Sequence, residues 1–421
     1  MIFFFLTSGL FLGWSLGAND AANVFGSAVG SRMISFLKAA IISSIFVIIG
    51  AVFQGEGAAE TLGKLGAVNA LGGSFTVALS AALTVYFMTR MSIPVSTTQA
   101  IVGAIIGWNL FTGSRTDIDS LTTIVTTWIS GPVLGGLFAI LLYILIRRIK
   151  RSTKIHLIRY ESIIRTCLII VGAFASYSLG ANNIANVMGV FVPAVNFGNI
   201  NLGFISLNSA QQLFLLGGLA IAAGIFTYSE RVMKTVGKNI FELSADAALI
   251  VVLSHSLVLF IFSSSRLSEF ISGLGLPAIP LVPVSSSQVI VGAILGIGIL
   301  KGARNINFRV LGGIASGWLT TPVIACIMSF ILLFFVQNVF DITVQETGNT
   351  STPQETRIQY PASAPGQNNQ SSLLIEKRNL STPPSIFFTD ICPLWNCTAC
   401  LTIARPSPVP PFFLDRPSSM R

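Results

Sequence analysis

The chain has 421 residues, of which 52% are hydrophobic and only 10% charged, and its mean hydropathy is +0.77. A soluble globule carries roughly a quarter charged residues, so this balance excludes a water-soluble enzyme or binding domain and indicates an integral membrane protein. A net charge of +9 with a pI near 9.6 could suggest a nucleic-acid partner, but the basic residues sort by side of a membrane instead, and no nucleic acid is expected.

Apolar segments recur along the chain at 2–18, 36–53, 75–89, 101–111, 121–146, 162–179, 211–228, 243–262, 284–300 and 310–336. A crossing helix needs about 20 residues, so these predict an all-α polytopic membrane protein with about 10–12 transmembrane segments. The first segment resembles a secretory leader in length. It lacks a basic stretch ahead of it and a polar motif follows at once, so it reads as a retained helix. Placing Arg147, Arg148, Lys150, Arg151, Lys154 and Arg159 in the cytoplasm, with five spans per half, puts Arg32, Lys38, Arg90, Arg231, Lys234, Lys238, Lys301 and Arg304 there too. The opposite loops are uncharged or mixed: 190–208 carry no charge, Asp117 and Asp119 accompany Arg115, and Glu269 matches Arg266. Both termini are then expected outside a cell membrane.

Five spans per half invites a search for internal repeats. "GANDAANVFG" (17–26) returns as "GANNIANVMG" (180–189), "TLGK" (61–64) as "TVGK" (235–238), "PVSTTQAIVGAIIG" (94–107) as "PVSSSQVIVGAILG" (283–296), and "WISGP" (128–132) as "WLTTP" (318–322). Four pairs in the same order, at offsets of 163, 174, 189 and 190, indicate a duplicated half. An odd number of spans inverts the second copy. The expected division is a first transmembrane repeat at 1–149, a basic cytoplasmic linker at 150–161 and a second, inverted repeat at 162–340.

In inverted-repeat transporters the substrate sits at the midplane between discontinuous helices. Gly17 and the Asn and Asp residues after it are poor helix-interior formers, so a break is expected there, and their carboxylate and amide oxygens suit a hard cation such as sodium. The "PVSTTQ" and "PVSSSQ" turns differ in character. Pro at the first helical position followed by Ser, Thr and Gln builds a helix N-terminus with free N–H groups and hydroxyl donors, an anion site needing no Arg or Lys. One copy from each half can aim at one oxyanion. Taken singly, such motifs are as readily caps or self-bonded hydroxyls; two copies of both in so apolar a chain favour a site. The Gly-rich segments read as helix-packing surfaces, not phosphate cradles. Glu60, Glu242 and Asp246 read as span-end residues that snorkel or cap rather than line an ion path, His255 as an interhelical hydrogen-bonder, and His156 as an exposed loop residue.

The two signatures, the two turns and the closing "KGARNINFRVLGGIASGWLTTP" together resemble the inorganic phosphate transporter (PiT) family over residues 5–335. The resemblance implies secondary uptake of inorganic phosphate driven by a cation gradient, sodium in some members and protons in others, through an inverted-repeat helical fold. Position by position, the family's signatures fall on Asn19, Asp20 and Asn23 and on Asn182, Asn183 and Asn186. The phosphate-binding turns fall on Ser96, Thr97, Thr98 and Gln99 and on Ser285, Ser286, Ser287 and Gln288. Many members have Asp in both signatures, where the second here has Asn183. Several end the turn in His, where Gln99 and Gln288 stand; the missing imidazole favours sodium over the proton. Val47 replaces a Glu of eukaryotic members, and their mid-chain insertion is absent, which indicates a prokaryotic protein.

Residues 341–421 are rich in Pro, Ser, Thr, Asn and Gln and are expected to form a disordered, non-native-looking tail. Cys392, Cys397 and Cys400 give C-x4-C-x2-C without a fourth downstream Cys, so no metal site is expected; Cys167 and Cys326 read as buried small residues. No nucleophile–base pair marks an enzyme, and no cofactor is expected. The expected partners are inorganic phosphate, sodium or a proton, the bilayer and a second copy in a homodimer. A sulfate or other oxyanion permease of the same fold and an anion channel are the alternatives.

Overall fold

A computed structural model describes residues 1–346 except 67, 91–94, 153–155, 202, 204–205, 240–243 and 303–307. Pro94, Lys154, Glu242, Arg304, the tail from 347 and its three cysteines lie outside the described residues. Twelve helices follow one another: α1 (Ile2–Gly30), α2 (Phe36–Gln54), α3 (Glu56–Leu65), α4 (Leu71–Arg90), α5 (Thr97–Thr112), α6 (Ile118–Ser152), α7 (Leu157–Met188), α8 (Ser209–Asn239), α9 (Ala245–Ser263), α10 (Ser265–Gly273), α11 (Ser286–Leu300) and α12 (Phe308–Asn338). A two-stranded antiparallel hairpin, β1 (Ile200–Asn201) and β2 (Ser206–Leu207), joins α7 to α8. Each of the ten apolar segments corresponds to a helix, and α3 and α10 are additional. Eight helices among the described residues are long and apolar enough to cross a membrane, and the protein is multi-pass. With 16 and 15 residues, α5 and α11 fall short of the roughly 20 a full crossing needs.

The breaks are not where Gly17 and its neighbours suggested. α1 and α7 run unbroken through both signatures, since each Asn or Asp costs a helix only about half a kcal/mol and Gly about 1 kcal/mol, which tertiary packing overrides. The interruptions fall instead at Gly55 between α2 and α3, at Ser264 between α9 and α10, and at the turns before α5 and α11. Parts of the basic stretch at 150–161 are helical. Lys150 and Arg151 end α6, and Arg159 lies in the first turns of α7.

Inverted repeats are visible down to single residues. α1 packs along α8 as α7 packs along α2, and α5 lies on α12 as α6 lies on α11. At the first kind of crossing, a Cβ on Gly17 would overlap the Ile221 carbonyl, and one on Gly180 would overlap the equivalent Val47 carbonyl. Gly103 meets Pro322 and Gly292 meets Pro132 in the same way at the second kind. Ring pairs repeat as well: Phe11 lies 6.2 Å from Tyr86, and Phe174 lies 5.4 Å from Phe260. These correspondences make α4 the counterpart of α9, at the offset of 174 that also relates α2 and α3 to α8. The growth from 163 to 174 therefore falls in the connection carrying the hairpin. The growth from 174 to 189 falls at α10 and the loop behind it.

The expected tail begins too early. Residues 341–346 fold back onto the helix ends: Val344 is buried, Trp108 Nε1 donates to its carbonyl at 3.0 Å, and Gln345 Nε2 donates to Ser114 Oγ at 3.2 Å. Asn69 exchanges two hydrogen bonds with the Glu346 backbone, at 2.9 and 3.0 Å. One buried Val is worth about 1.5–3 kcal/mol and each hydrogen bond about 1 kcal/mol. Truncation after Phe340 should therefore lower the melting temperature of the purified protein, whereas truncation after Glu346 should leave both melting and uptake near wild type. Equal melting of the two truncated chains would show that the strap contributes nothing. Cys167 and Cys326 are partly exposed on their helices rather than buried.

Candidate functional site

The two Ser/Thr/Gln turns form as helix N-termini. Ser96 and Ser285 are the N-caps of α5 and α11; their hydroxyls accept from the backbone N–H groups of Gln99 at 3.3 Å and Gln288 at 3.4 Å. The next residues, Thr97 and Thr98 on one side and Ser286 and Ser287 on the other, carry first-turn N–H groups with no intrahelical acceptor. Ser287 Oγ lies 3.3 Å from Ser285 Oγ. Thr97, Thr98, Gln99, Ser286 and Gln288 are all buried.

The second signature ties the turns together. Asn182 pairs with both polar groups of Val284, donating to its carbonyl at 2.7 Å and accepting its N–H at 2.8 Å. Asn186 Nδ2 donates to Thr98 Oγ1 at 2.9 Å and to Asn183 Oδ1 at 3.1 Å, and Thr98 Oγ1 in turn reaches the Val284 carbonyl at 3.4 Å. Asn183 Nδ2 donates to Leu179 O within its own helix. From the first signature, Asn23 Nδ2 donates to Ser286 Oγ at 3.2 Å, while Asn19 Nδ2 donates to Asp20 Oδ1 at 3.1 Å. Asp20 is 4% exposed and, among the described residues, no Lys or Arg pairs with it. The Oε1 atoms of Gln99 and Gln288 and the Oδ1 of Asn186 are buried without a hydrogen-bond partner.

The halves differ in access. Asn19 lines a cavity of about 170 Å³ with Trp14, Ser15, Tyr86, Arg90 and Tyr228, whereas its counterpart Asn182 is sealed. The counterparts of Trp14 and Tyr228 are Tyr177 and Gln54, and there Tyr177 Oη donates to Gln54 Oε1 across the equivalent gap.

Other polar groups have structural partners. Asp246 accepts from Lys150 Nζ at 2.9 Å and Tyr160 Oη at 2.6 Å, Glu60 pairs with Lys64 on the exposed face of α3, and His156 precedes α7 at the surface. His255 does bond another helix, as its isolation in an apolar segment suggests, but the partner is Ser286 Oγ at 2.9 Å. That membership of the site is not legible from spacing. A lone imidazole inside an apolar helix is the one available signal. Among the described residues no cluster of His, Cys, Asp or Glu could hold a metal ion.

Two helix N-termini with hydroxyls and, among the described residues, no bonded Lys or Arg offer donors of the kind an anion takes, and the buried carboxylate and unpartnered amide oxygens are donors of the kind a hard cation takes. The profile of the phosphate transporter family matches residues 16–329 and, overlapping, 276–361. A candidate phosphate permease of Methanocaldococcus jannaschii is 30% identical over 328 residues, covering 78% of this chain and 95% of that protein. Another, of Pyrococcus horikoshii, is 27% identical over 402 residues, covering 78% and 95%. One solved structure, a sodium-dependent phosphate transporter, shares the fold with a TM-score of 0.62 at 23% identity, over 80% of this chain and 99% of that one. With duplicated signatures, paired helix-end turns and a profile match over most of its length, this chain belongs to the phosphate transporter family.

Proposed function

We propose that the chain is a secondary active transporter that takes up inorganic phosphate together with sodium. The observation that carries the reading is the meeting of the two helix N-termini, bridged by Asn182 and Asn186 and joined by Asn23 of α1, whose signature also carries the buried Asp20 with no basic partner among the described residues. Ser96, Thr97, Thr98, Gln99, Ser285, Ser286, Ser287 and Gln288 would hold phosphate; Asn19, Asp20, Asn23, Asn182, Asn183 and Asn186 would hold the cation. The unpartnered oxygen of Asn186 suits that division. Basic residues at helix ends support a cytoplasmic placement of the α6–α7 connection, with both termini outside the cell membrane. The cavity at Asn19, with Arg90 at its mouth, then opens inward and the Tyr177–Gln54 contact closes the outer path. One-sided access of this kind favours alternating access over a channel. The proton is the second reading for the coupled cation, favoured by the imidazole of His255 beside Ser286.

Uptake of labelled phosphate into proteoliposomes under imposed sodium or proton gradients, with sulfate as competitor, tests all of this. Sodium-driven uptake that sulfate does not suppress is expected. Uptake indifferent to both gradients would indicate a pore, and strong sulfate competition a general oxyanion permease. Ala at Thr97, Thr98, Ser286 or Ser287 should raise the KM for phosphate from both halves. A hydrogen bond to a charged ligand is worth about 1.5–3 kcal/mol, so an increase of roughly tenfold or more is expected for each. A normal KM for the α5 pair beside a raised one for the α11 pair would refute a shared two-repeat site.

A further inference from the structure

α9 brings a single imidazole into the site. His255 is fully buried, its Nε2 lies 2.9 Å from Ser286 Oγ, and its Nδ1 has no hydrogen-bond partner among the described residues. Ser286 Oγ also accepts from Asn23 Nδ2 at 3.2 Å. At the equivalent place in the first repeat, Ala81 stands for His255 and Thr97 for Ser286. The imidazole therefore serves one of the two turns only, and it has no role in the shared architecture of the repeats.

Two tautomers fit the contact. If Nδ1 carried the proton, a buried N–H would be left without an acceptor. If Nε2 carries it, only a bare ring lone pair is left, and orphaned buried donors are the rarer and costlier case. Nε2–H then donates to Ser286 Oγ. With Asn23 donating as well, both lone pairs of that oxygen are used, and the Ser286 hydroxyl can only donate. Its proton is fixed at the N-terminus of α11, among free backbone N–H groups that also favour an acceptor.

Resting on the phosphate reading, we propose that His255 is a positioning residue that holds Ser286 as an obligatory hydrogen-bond donor to an unprotonated oxygen of the transported phosphate. His255 does not touch the anion; it acts through Ser286. Thr97, with Ala81 behind it, lacks such a restraint and is free to donate or accept. The α11 turn thus demands an acceptor oxygen, while the α5 turn tolerates a protonated one.

A double-mutant cycle on phosphate uptake tests this. His255→Ala should raise the KM about tenfold with Vmax changed less than threefold, and should add nothing in a Ser286→Ala background. In a Thr97→Ala background its effect should multiply in full. His255→Gln, whose terminal amide can stand where Nε2 stands, should retain a KM within about threefold of wild type, whereas the shorter His255→Asn should resemble His255→Ala. If His255→Ala does not fold, the comparison of Gln with Asn decides alone. Equal KM values for those two, or a full effect of His255→Ala without the Ser286 hydroxyl, would overturn the proposal. Loss of proton-driven uptake with an unchanged KM would overturn it too, by making the imidazole a proton carrier. A wild-type chain that takes up no phosphate would sink the phosphate reading itself and this proposal with it, an outcome distinct from a failed cycle in an active transporter.

Discussion

Asp20→Asn should give an abundant, folded protein that accumulates almost no phosphate under a cation gradient. Phosphate brings one or two negative charges into the membrane interior, and two helix N-termini offer only about half a positive charge each. No Arg or Lys pairs with Asp20 among the described residues, and the proposed co-bound cation would supply that balance. Asp20 is the single carboxylate in either signature, buried and, among the described residues, bonded only by the Asn19 amide. Removing an unpaired buried charge should also relieve a desolvation cost, so the melting temperature of Asp20→Asn should equal or exceed that of the wild type. Loss of uptake without loss of stability separates a coupling role from a structural one. Asn183→Asp, which adds a second carboxylate in the other signature, should be much milder. Normal uptake by Asp20→Asn with unchanged sodium dependence would remove the motif from the coupling mechanism.

The ten apolar segments were legible because hydropathy marks what a bilayer accepts, and each became a helix. α3 and α10 were not. They are short and polar on one face, carrying Glu56, Glu60 and Lys64 in one and Arg266 and Glu269 in the other, so no apolar run announces them. Local propensity also misplaced the breaks. Gly17 reads as a helix weakness, yet its lack of a side chain, like that of Gly180, is what lets another helix cross there, and the crossing holds the helix continuous. Within the candidate site, duplication singled out the two signatures and the two turns, but not how their residues pair. Asn182 finds Val284 across 102 positions, a pairing set by the arrangement of α7 against the turn before α11. His255 has no repeat partner, Ala81 standing at the equivalent place, so the comparison that singled out the other candidate residues passed over it. The strap at 341–346 was missed because one buried residue, Val344, makes no period.

Those glycines carry the second large effect: Gly17→Ala and Gly180→Ala should each destabilise the protein, and by similar amounts. An added Cβ at Gly17 overlaps the carbonyl oxygen of Ile221, and at Gly180 that of Val47. Both obstacles are helix backbone, which cannot rotate away as a side chain would. Ala gains about 1 kcal/mol of helix propensity over Gly, but overpacking a close crossing costs about 1–3 kcal/mol and more when backbone must move. The crossing therefore decides the sign. Gly63→Ala is the control, because nothing lies near a Cβ there, and propensity alone should make it neutral or slightly stabilising. Melting of the three purified variants measures this directly, and a Gly17→Ala protein as stable as Gly63→Ala would mean that α1 and α8 do not cross so closely. The effect should reach transport as well. Each glycine stands two residues before an Asn of its signature, Asn19 or Asn182, so forcing the helices apart displaces the residues proposed to hold the cation and, through Asn182, the turn proposed to hold phosphate. A Gly180→Ala chain that still folds should lose phosphate affinity through the strained Asn182–Val284 pair. One that folds and binds phosphate normally would show that the crossing serves stability alone.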